Sequence, residues 1–496
     1  MQQADTVPFT RRPPLLIEIG VVFVLVLLCA LAVRPLLEEW ALLNAFQTFG
    51  LSYIPMFASS IPMRPLHLVP AALYWLLGNG QPMGVAAGTA LMFALRYLVA
   101  RWAVTPLLGG HERWIVASLA AVLVAWPGAW MGRYSAAQAT AVLVFVILGA
   151  CIRLYARWQW RWMLVCVGGV FALLCVYQAL ALCLLALPLL ALLWRPLGPA
   201  SEGAPALPVR EAVRVAVSLT IGALAYGIYA FVVTRNLGSG GYEAGLAGDA
   251  ARLLTVNGLS SHIVQAYTTG FGNGSQVLPV LLLLGAAMLA PAVIALKQQR
   301  QRILLTLLTL VLILALPLCS MIYVSEAHIR DVDRVLFPLT TGFVLVCISL
   351  LAWVREIPGA RVGRPVASAI VAVLLVSALL SAVEVRRYAV IQRSVLKQTI
   401  SAIQNRKPAS VLLVDTTGSL GDVYTFLNPT LGDALANRGF PIPASICTPV
   451  PVDRFHPVAR RFPFEATPRC DKAPAMAAPT LVLTAGWNNG KIEIRP

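Results

Sequence analysis

Apolar residues in this chain run in long blocks rather than alternating with polar ones, and the length of the blocks predicts the architecture. A helix needs roughly 20 mostly apolar residues to cross the hydrocarbon core of a bilayer. The candidate blocks are Leu15–Val33, Pro82–Ala100, Trp114–Trp130, Ala136–Ile152, Trp162–Val176, Ala179–Trp194, Val215–Val233, Val277–Leu296, Ile303–Val324, Val335–Val354 and Val366–Val383. They predict a mainly α membrane protein with about eleven transmembrane helices. The run from Trp162 to Trp194 is too long for one helix, so it is divided at Tyr177-Gln178 as a tight outer hairpin.

Two shorter patterns lie between the first and second blocks. Leu36, Leu37, Trp40, Leu43 and Phe46 recur at roughly helical spacing, as in a helix lying in the interface. Leu66–Leu77 is too short to span and reads as a second interfacial or re-entrant helix. After Val383 hydrophobicity falls and proline rises. There Ser410–Asp415 has the pattern of a buried strand, and Leu481–Thr484 and Lys491–Ile494 flank a hairpin turn at Asn488-Asn489-Gly490. The expected division is a polytopic membrane domain over 1–384 and a small external α/β domain over 385–496. The polar loop after the first strand, Thr416 to Asp422, has neither a Walker lysine nor a G-x-G-x-x-G pattern.

Composition agrees with the blocks. The chain of 496 residues is 59% hydrophobic and 12% charged, whereas soluble domains average about 45–50% and about 25%. The net charge of +17 comes mainly from arginines at block ends, so nucleic acid is not implied. With the N-terminus inside, the inner loops collect Arg11, Arg12, Arg96, Arg101, Arg153, Arg157 and Arg161, among others, and the short outer segments hold far fewer. The same bias puts the tail outside and supports the division at Tyr177, since a merged run would invert everything after Trp194. Arg11 and Arg12 precede a long block with no small-residue cleavage site, which reads as an anchor rather than a cleaved signal.

Cys29, Cys151, Cys166, Cys175, Cys183, Cys319 and Cys347 lie within apolar blocks and read as small buried hydrophobes. Cys447 and Cys470 lie in the polar tail. In an oxidising outer compartment they are expected to form a disulfide.

Candidate chemistry clusters at the outer mouth. Glu38 and Glu39 follow the first block directly, and ionisable groups at such places usually face a cavity or carry chemistry. Neighbours on a helix do not share a face, so one of them is the candidate base. Glu39 is favoured because Trp40 beside it can stack on a sugar ring, and Glu38 is the alternative. Otherwise the pair sits in the headgroup layer and offsets Arg34. Arg64 suits bidentate phosphate binding or simply snorkels to the interface, and His67 accompanies it. The segment Glu326–Arg334 is the densest charge cluster in the membrane part. Arg330 and Arg334, at i and i+4, face one anion if the stretch is helical, while Glu326, Asp331 and Asp333 read as a salt-bridged cap. The five histidines are scattered without H-E-x-x-H or C-x-x-C spacing, so no metal site is expected.

Glu38-Glu39-Trp40 after the first block, Arg64-Pro65-Leu66 later in the same loop and Tyr177-Gln178 in a short break form a layout that resembles the GT-C-type polytopic glycosyltransferases. It resembles especially the bacterial proteins akin to O-antigen glucosyltransferases. The resemblance covers the chain up to about Val383. It departs from the usual Asp-Asp pair in having Glu, which lengthens the reach and leaves open which carboxylate acts. It implies an inner-membrane enzyme with a periplasmic tail, a polyprenyl-phosphate sugar as co-substrate, no other cofactor, and a lipid-linked or envelope glycan as acceptor. Glu39 or Glu38 would be catalytic. Arg64, His67, Trp40, Tyr177, Gln178, Arg330 and Arg334 would bind substrate. Two other classes compete: a transporter or flippase of lipid-linked oligosaccharide, which would often show paired repeats of broken helices, and an O-antigen ligase or polymerase.

Overall fold

The computed structural model describes residues 15–33, 38–108, 110–122, 130, 134–194, 208–237, 248–272, 300–354, 363–418, 420, 430–449, 468–473 and 476–495. The chain is mainly helical, with a small sheet near its C-terminus. Among the described residues, five helices are long and apolar enough to cross a membrane. They lie at Leu15–Val33, Pro82–Ala103, Ser135–Ala156, Val209–Asn236 and Asp333–Ala352. The expected span at Val277–Leu296 lies outside the described residues. So does most of the second half of Trp114–Trp130, whose first half belongs to a helix at Gly110–Val122.

In chain order α1 is Leu15–Val33, α2 Glu38–Phe49, α3 Tyr53–Ser60, α4 Val69–Gly78, α5 Pro82–Ala103, α6 Gly110–Val122, α7 Ser135–Ala156 and α8 Trp160–Val176. The apolar helices pack serially, α1 on α5, α5 on α7 and α7 on the shorter α8. Glu18 of α1 accepts from the Tyr97 hydroxyl at 2.7 Å and pairs with Arg101, which pins α1 to α5. Arg96, expected at a helix end, is instead buried within α5. Its guanidinium donates to the Ala121 carbonyl at 3.1 Å and lies 4.2 Å from the Phe93 ring centre. The close approach of α4 to α5 depends on Gly88, where an added Cβ would sit 2.0 Å from the Tyr74 ring. Small residues serve this purpose between apolar helices.

The division at Tyr177 takes a different form from the expected tight hairpin. Tyr177 is extended (φ −165°, ψ 123°), followed by a 3-10 turn at Gln178–Leu180, α9 at Ala181–Leu185 and α10 at Leu187–Ala191. Pro188 at the start of α10 has no N–H to continue a ladder, so two short helices replace the expected span Ala179–Trp194. α8 packs on α7 and on α11 (Val209–Leu237), whereas α9 and α10 pack on α11 and the late helices.

After α12 (Val256–Gly272), the block expected at Ile303–Val324 is α13 (Arg300–Leu314) and then a 3-10 segment, Leu316–Ile322, with Pro317 in its first turn. A five-residue helix α14, Glu326–Arg330, leads into α15, Val332–Val354, which is buried along its length. The largest departure is α16. It runs unbroken over 44 residues from Gly363 to Arg406, about 66 Å at 1.5 Å per residue, so the expected boundary at 384/385 falls inside a helix. Ala382, Val385 and Ala389 belong to the core of the bundle, and Val395, Leu396 and Ile403 to that of the sheet domain. The spacing of three and four residues continues through Arg386 and Arg387, where hydropathy alone signals an end.

The sheet has strand order β2-β1-β3-β4, with β1 at Ser410–Asp415, β2 at Ala444–Cys447, β3 at Thr480–Asn488 and β4 at Lys491–Arg495. β1 pairs parallel with β2 and β3, and β3 and β4 are antiparallel. The expected hairpin turn is present, with φ of 48° at Asn489 and 72° at Gly490, as a two-residue I′ turn requires. α17, Thr430–Asn437, lies between β1 and β2 in the chain. Cys447 and Cys470 form a disulfide with Cα atoms 4.9 Å apart. Replacing both by serine should lower the stability of this domain by about 3 kcal/mol, read as an earlier protease-sensitive transition. An unchanged transition would show that the bridge adds nothing measurable to the stability of this domain.

Candidate functional site

The first long loop folds back against the break at Tyr177. Between α3 and α4 the chain turns twice, with Arg64 N–H bonded to the Ile61 carbonyl and His67 N–H to that of Arg64. Leu66 N–H donates to the Cys175 carbonyl at 3.2 Å. His67 Nδ1 donates to the Val176 carbonyl at 3.0 Å, which in the neutral ring leaves the lone pair on Nε2. Its ring stacks on Phe57 and meets Tyr177 edge-on. Arg64, half-buried, places its guanidinium 5.2 Å from the Tyr177 ring centre. No carboxylate pairs with it among the described residues.

Gln178 donates to the Tyr226 hydroxyl at 2.7 Å, and that hydroxyl donates to the Met63 carbonyl at 3.0 Å. Tyr229, one turn along α11, donates to the Pro62 carbonyl. The Tyr177 and Tyr323 hydroxyls are 2.9 Å apart, and the Arg334 guanidinium lies 5.8 Å from the Tyr323 ring centre. Arg64, His67, Tyr177, Gln178 and Arg334, scattered in the chain, therefore converge on one polar and aromatic cluster. Tyr226, Tyr229 and Tyr323 complete it and were not singled out from the sequence. The available signal was Tyr226 and Tyr229 at i, i+3 on an otherwise apolar helix, since such hydroxyls require partners.

Arg330 does not join them. The i, i+4 expectation needs one continuous helix, but Asp331 is extended (φ −75°, ψ 110°) between α14 and α15. Arg330 is exposed and pairs with Glu326, which also binds Arg252. These cations hold the Glu326 carboxyl below its ordinary range, Arg330 first. Arg334 turns inward and donates to Asp331 at 3.1 Å, while Asp331 also accepts from the Asp333 and Arg334 backbone at the start of α15. For Glu326 and Asp331 the expected salt-bridged cap is therefore present.

The carboxylate pair opens α2. Glu39 is 1% exposed and lines a small cavity of about 10 Å³, room for about one water, with Leu42, Phe46, Ala71, Tyr74 and Val85. The Glu38 side chain lies outside the described residues. α4 links this cavity to the cluster, because His67 precedes its first turn and Ala71 and Tyr74 belong to it. Trp40 is placed otherwise than expected. It is 3% exposed and packs in the core of the sheet domain with Val395, Leu396 and Leu435. It is not open to a sugar ring, because α2 is the seam between the two parts of the chain. Asn44 on the same helix donates to Asp433 of α17 at 3.0 Å.

His262 on α12 is a further residue that the sequence reading passed over. It is 1% exposed, and Nε2 donates to the Tyr323 carbonyl at 2.8 Å. Nδ1 has no hydrogen-bond partner among the described residues. Burial holds its pKa below the ordinary imidazole value, and nearby Arg252 acts in the same direction. The folded chain thus favours neutral His262, while the unfolded chain protonates near pH 6.5. Its stabilising contribution is complete above about pH 6.5 and is lost as pH falls through the lower folded value. Thermal unfolding should show this loss in the parent and a shallower pH dependence in His262→Gln. Equal slopes would remove His262 as the cause. No protein-family model and no curated protein matches the chain.

Proposed function

We propose that this protein is a membrane glycosyltransferase that moves a sugar from a polyprenyl-phosphate donor to a lipid-linked or envelope glycan. In this reading it acts at the outer face of a bacterial inner membrane, with the N-terminus inside, about eleven spans and the sheet domain in the periplasm. The observation that supports it most is Arg64, a guanidinium set over Tyr177 without a carboxylate partner among the described residues. A planar fork in that setting suits a phosphate. Arg64 would hold the donor phosphate, and Tyr177, Gln178 and His67 would shape the loop that carries it. Arg334, paired with Asp331, would border the site through Tyr323, whereas Arg330 stays with Glu326.

The reaction needs an acceptor hydroxyl to attack the anomeric carbon while the bond from that carbon to the phosphate oxygen breaks. Glu39, with Glu38 as alternative, would take the hydroxyl proton, and the polyprenyl phosphate leaves as an anion beside Arg64. The test is the purified full chain in detergent, given a polyprenyl-phosphate sugar and an envelope glycolipid extract. Loss of donor with labelled glycolipid is expected. Movement of lipid-linked sugar across proteoliposomes without any transfer would instead favour the flippase class.

A further inference from the structure

The turn between α7 and α8, Arg157-Trp158-Gln159, runs into Trp160-Arg161-Trp162 at the head of α8. α7 is long and apolar enough to cross a membrane and ends at Ala156, so the turn starts where that span stops. Arg157 and Gln159 are extended (φ −154°, ψ 128° and φ −149°, ψ 127°), which keeps the link short and the two helix ends together. Trp158 and Trp160 are 45% and 69% exposed, and Arg157 and Arg161 are exposed beside them. Apolar rings left in water forgo the gain of burial, whereas indoles are enriched at the boundary between acyl chains and headgroups.

The positive charge of this turn is uncompensated. No acidic residue occurs in the sequence between Glu112 and Glu202. Neither Arg157 nor Arg161 pairs with a carboxylate among the described residues. Glu18, at the same end of the bundle, is already held by Arg101 and Tyr97. The surroundings brace the cations instead of neutralising them. Arg161 Nε donates to Gln159 Oε1 at 2.8 Å, and its guanidinium lies 5.1 Å from the Trp162 ring centre. Arg153, one turn earlier, lies 4.0 Å and 5.1 Å from the Trp102 and Trp162 ring centres and donates to the Gly149 and Trp102 carbonyls. Guanidiniums bind phosphate by paired hydrogen bonds, and basic clusters just beyond a span attract anionic lipids. We propose that the α7–α8 turn binds the headgroup of an anionic phospholipid, with Arg157 and Arg161 on the phosphate and Trp158 and Trp160 seated at the acyl boundary. In the topology proposed above this is the inner leaflet. The site rests on the chain crossing a membrane and not on the proposed transfer reaction.

The test is native mass spectrometry of the full chain in detergent, titrated with dioleoylphosphatidylglycerol and, separately, with dioleoylphosphatidylcholine, which has the same acyl chains but no net charge. The parent should prefer the anionic lipid, and Arg157→Gln/Arg161→Gln should weaken its binding by about tenfold or more. Trp158→Ser/Trp160→Ser should weaken both lipids, because the acyl boundary is common to them. Circular dichroism and the unfolding temperature without added lipid check that the variants fold. Arg386→Gln/Arg387→Gln, an equal change of charge at two exposed positions of α16, should leave the preference in place. An equal loss in that control would show attraction by net charge and no site. Absence of a preference in the parent, or parent-like binding in the folded Arg157/Arg161 variant, overturns the proposal.

Discussion

Glu39→Gln should lower sugar transfer by about 10²–10⁴-fold, the usual contribution of a general base, while the chain remains folded. The amide is nearly isosteric, so the packing of a residue that is 1% exposed is retained and only proton acceptance is removed. The surrounding cavity offers Leu42, Phe46, Ala71 and Val85 as apolar walls. Glu38→Gln should have a milder effect, because adjacent positions on a helix diverge. Turnover under saturating donor, compared with donor binding and the unfolding temperature, separates chemistry from structure. Near-normal turnover in the double glutamine variant would sink the assignment. The next carboxylates to test would be Asp331 and Asp333, although Asp331 is already engaged by Arg334 at 3.1 Å.

Arg64→Gln should weaken donor binding by roughly 10- to 150-fold, since hydrogen bonds to charged groups contribute about 1.5–3 kcal/mol. The effect should fall on KM for the donor more than on kcat. Arg64→Lys should be intermediate, because an ammonium keeps the charge but loses the planar fork and its stacking on Tyr177. Tyr177→Phe is the complementary change. It leaves a ring beneath Arg64 and removes the hydroxyl bond to Tyr323 of 2.9 Å, so donor affinity should fall less than in Arg64→Gln. An unchanged donor KM in Arg64→Gln would return this arginine to the role of an interfacial anchor.

Much of the helical layout was legible in the sequence because block length and local turn chemistry act within short stretches of chain. Leu15–Val33 is a helix of the expected bounds, Ser410–Asp415 is a buried strand, and Asn489-Gly490 closes the hairpin. The two cysteines outside the apolar blocks were also recognisable as a pair. Other features depended on distant parts of the chain. Nothing local shows that Trp40 packs into the sheet domain, or that Tyr226 and Tyr323 close the cluster around Tyr177. Arg330 and Arg334 separate because one extended residue, Asp331, redirects the backbone. α16 outlasts its apolar block because its charged turns retain helical spacing and gain a second core to bury against. Local pattern determined which segments form helices or strands. Tertiary packing decided which polar side chains meet, since only that packing brings together residues more than a hundred positions apart, such as His67 and Val176.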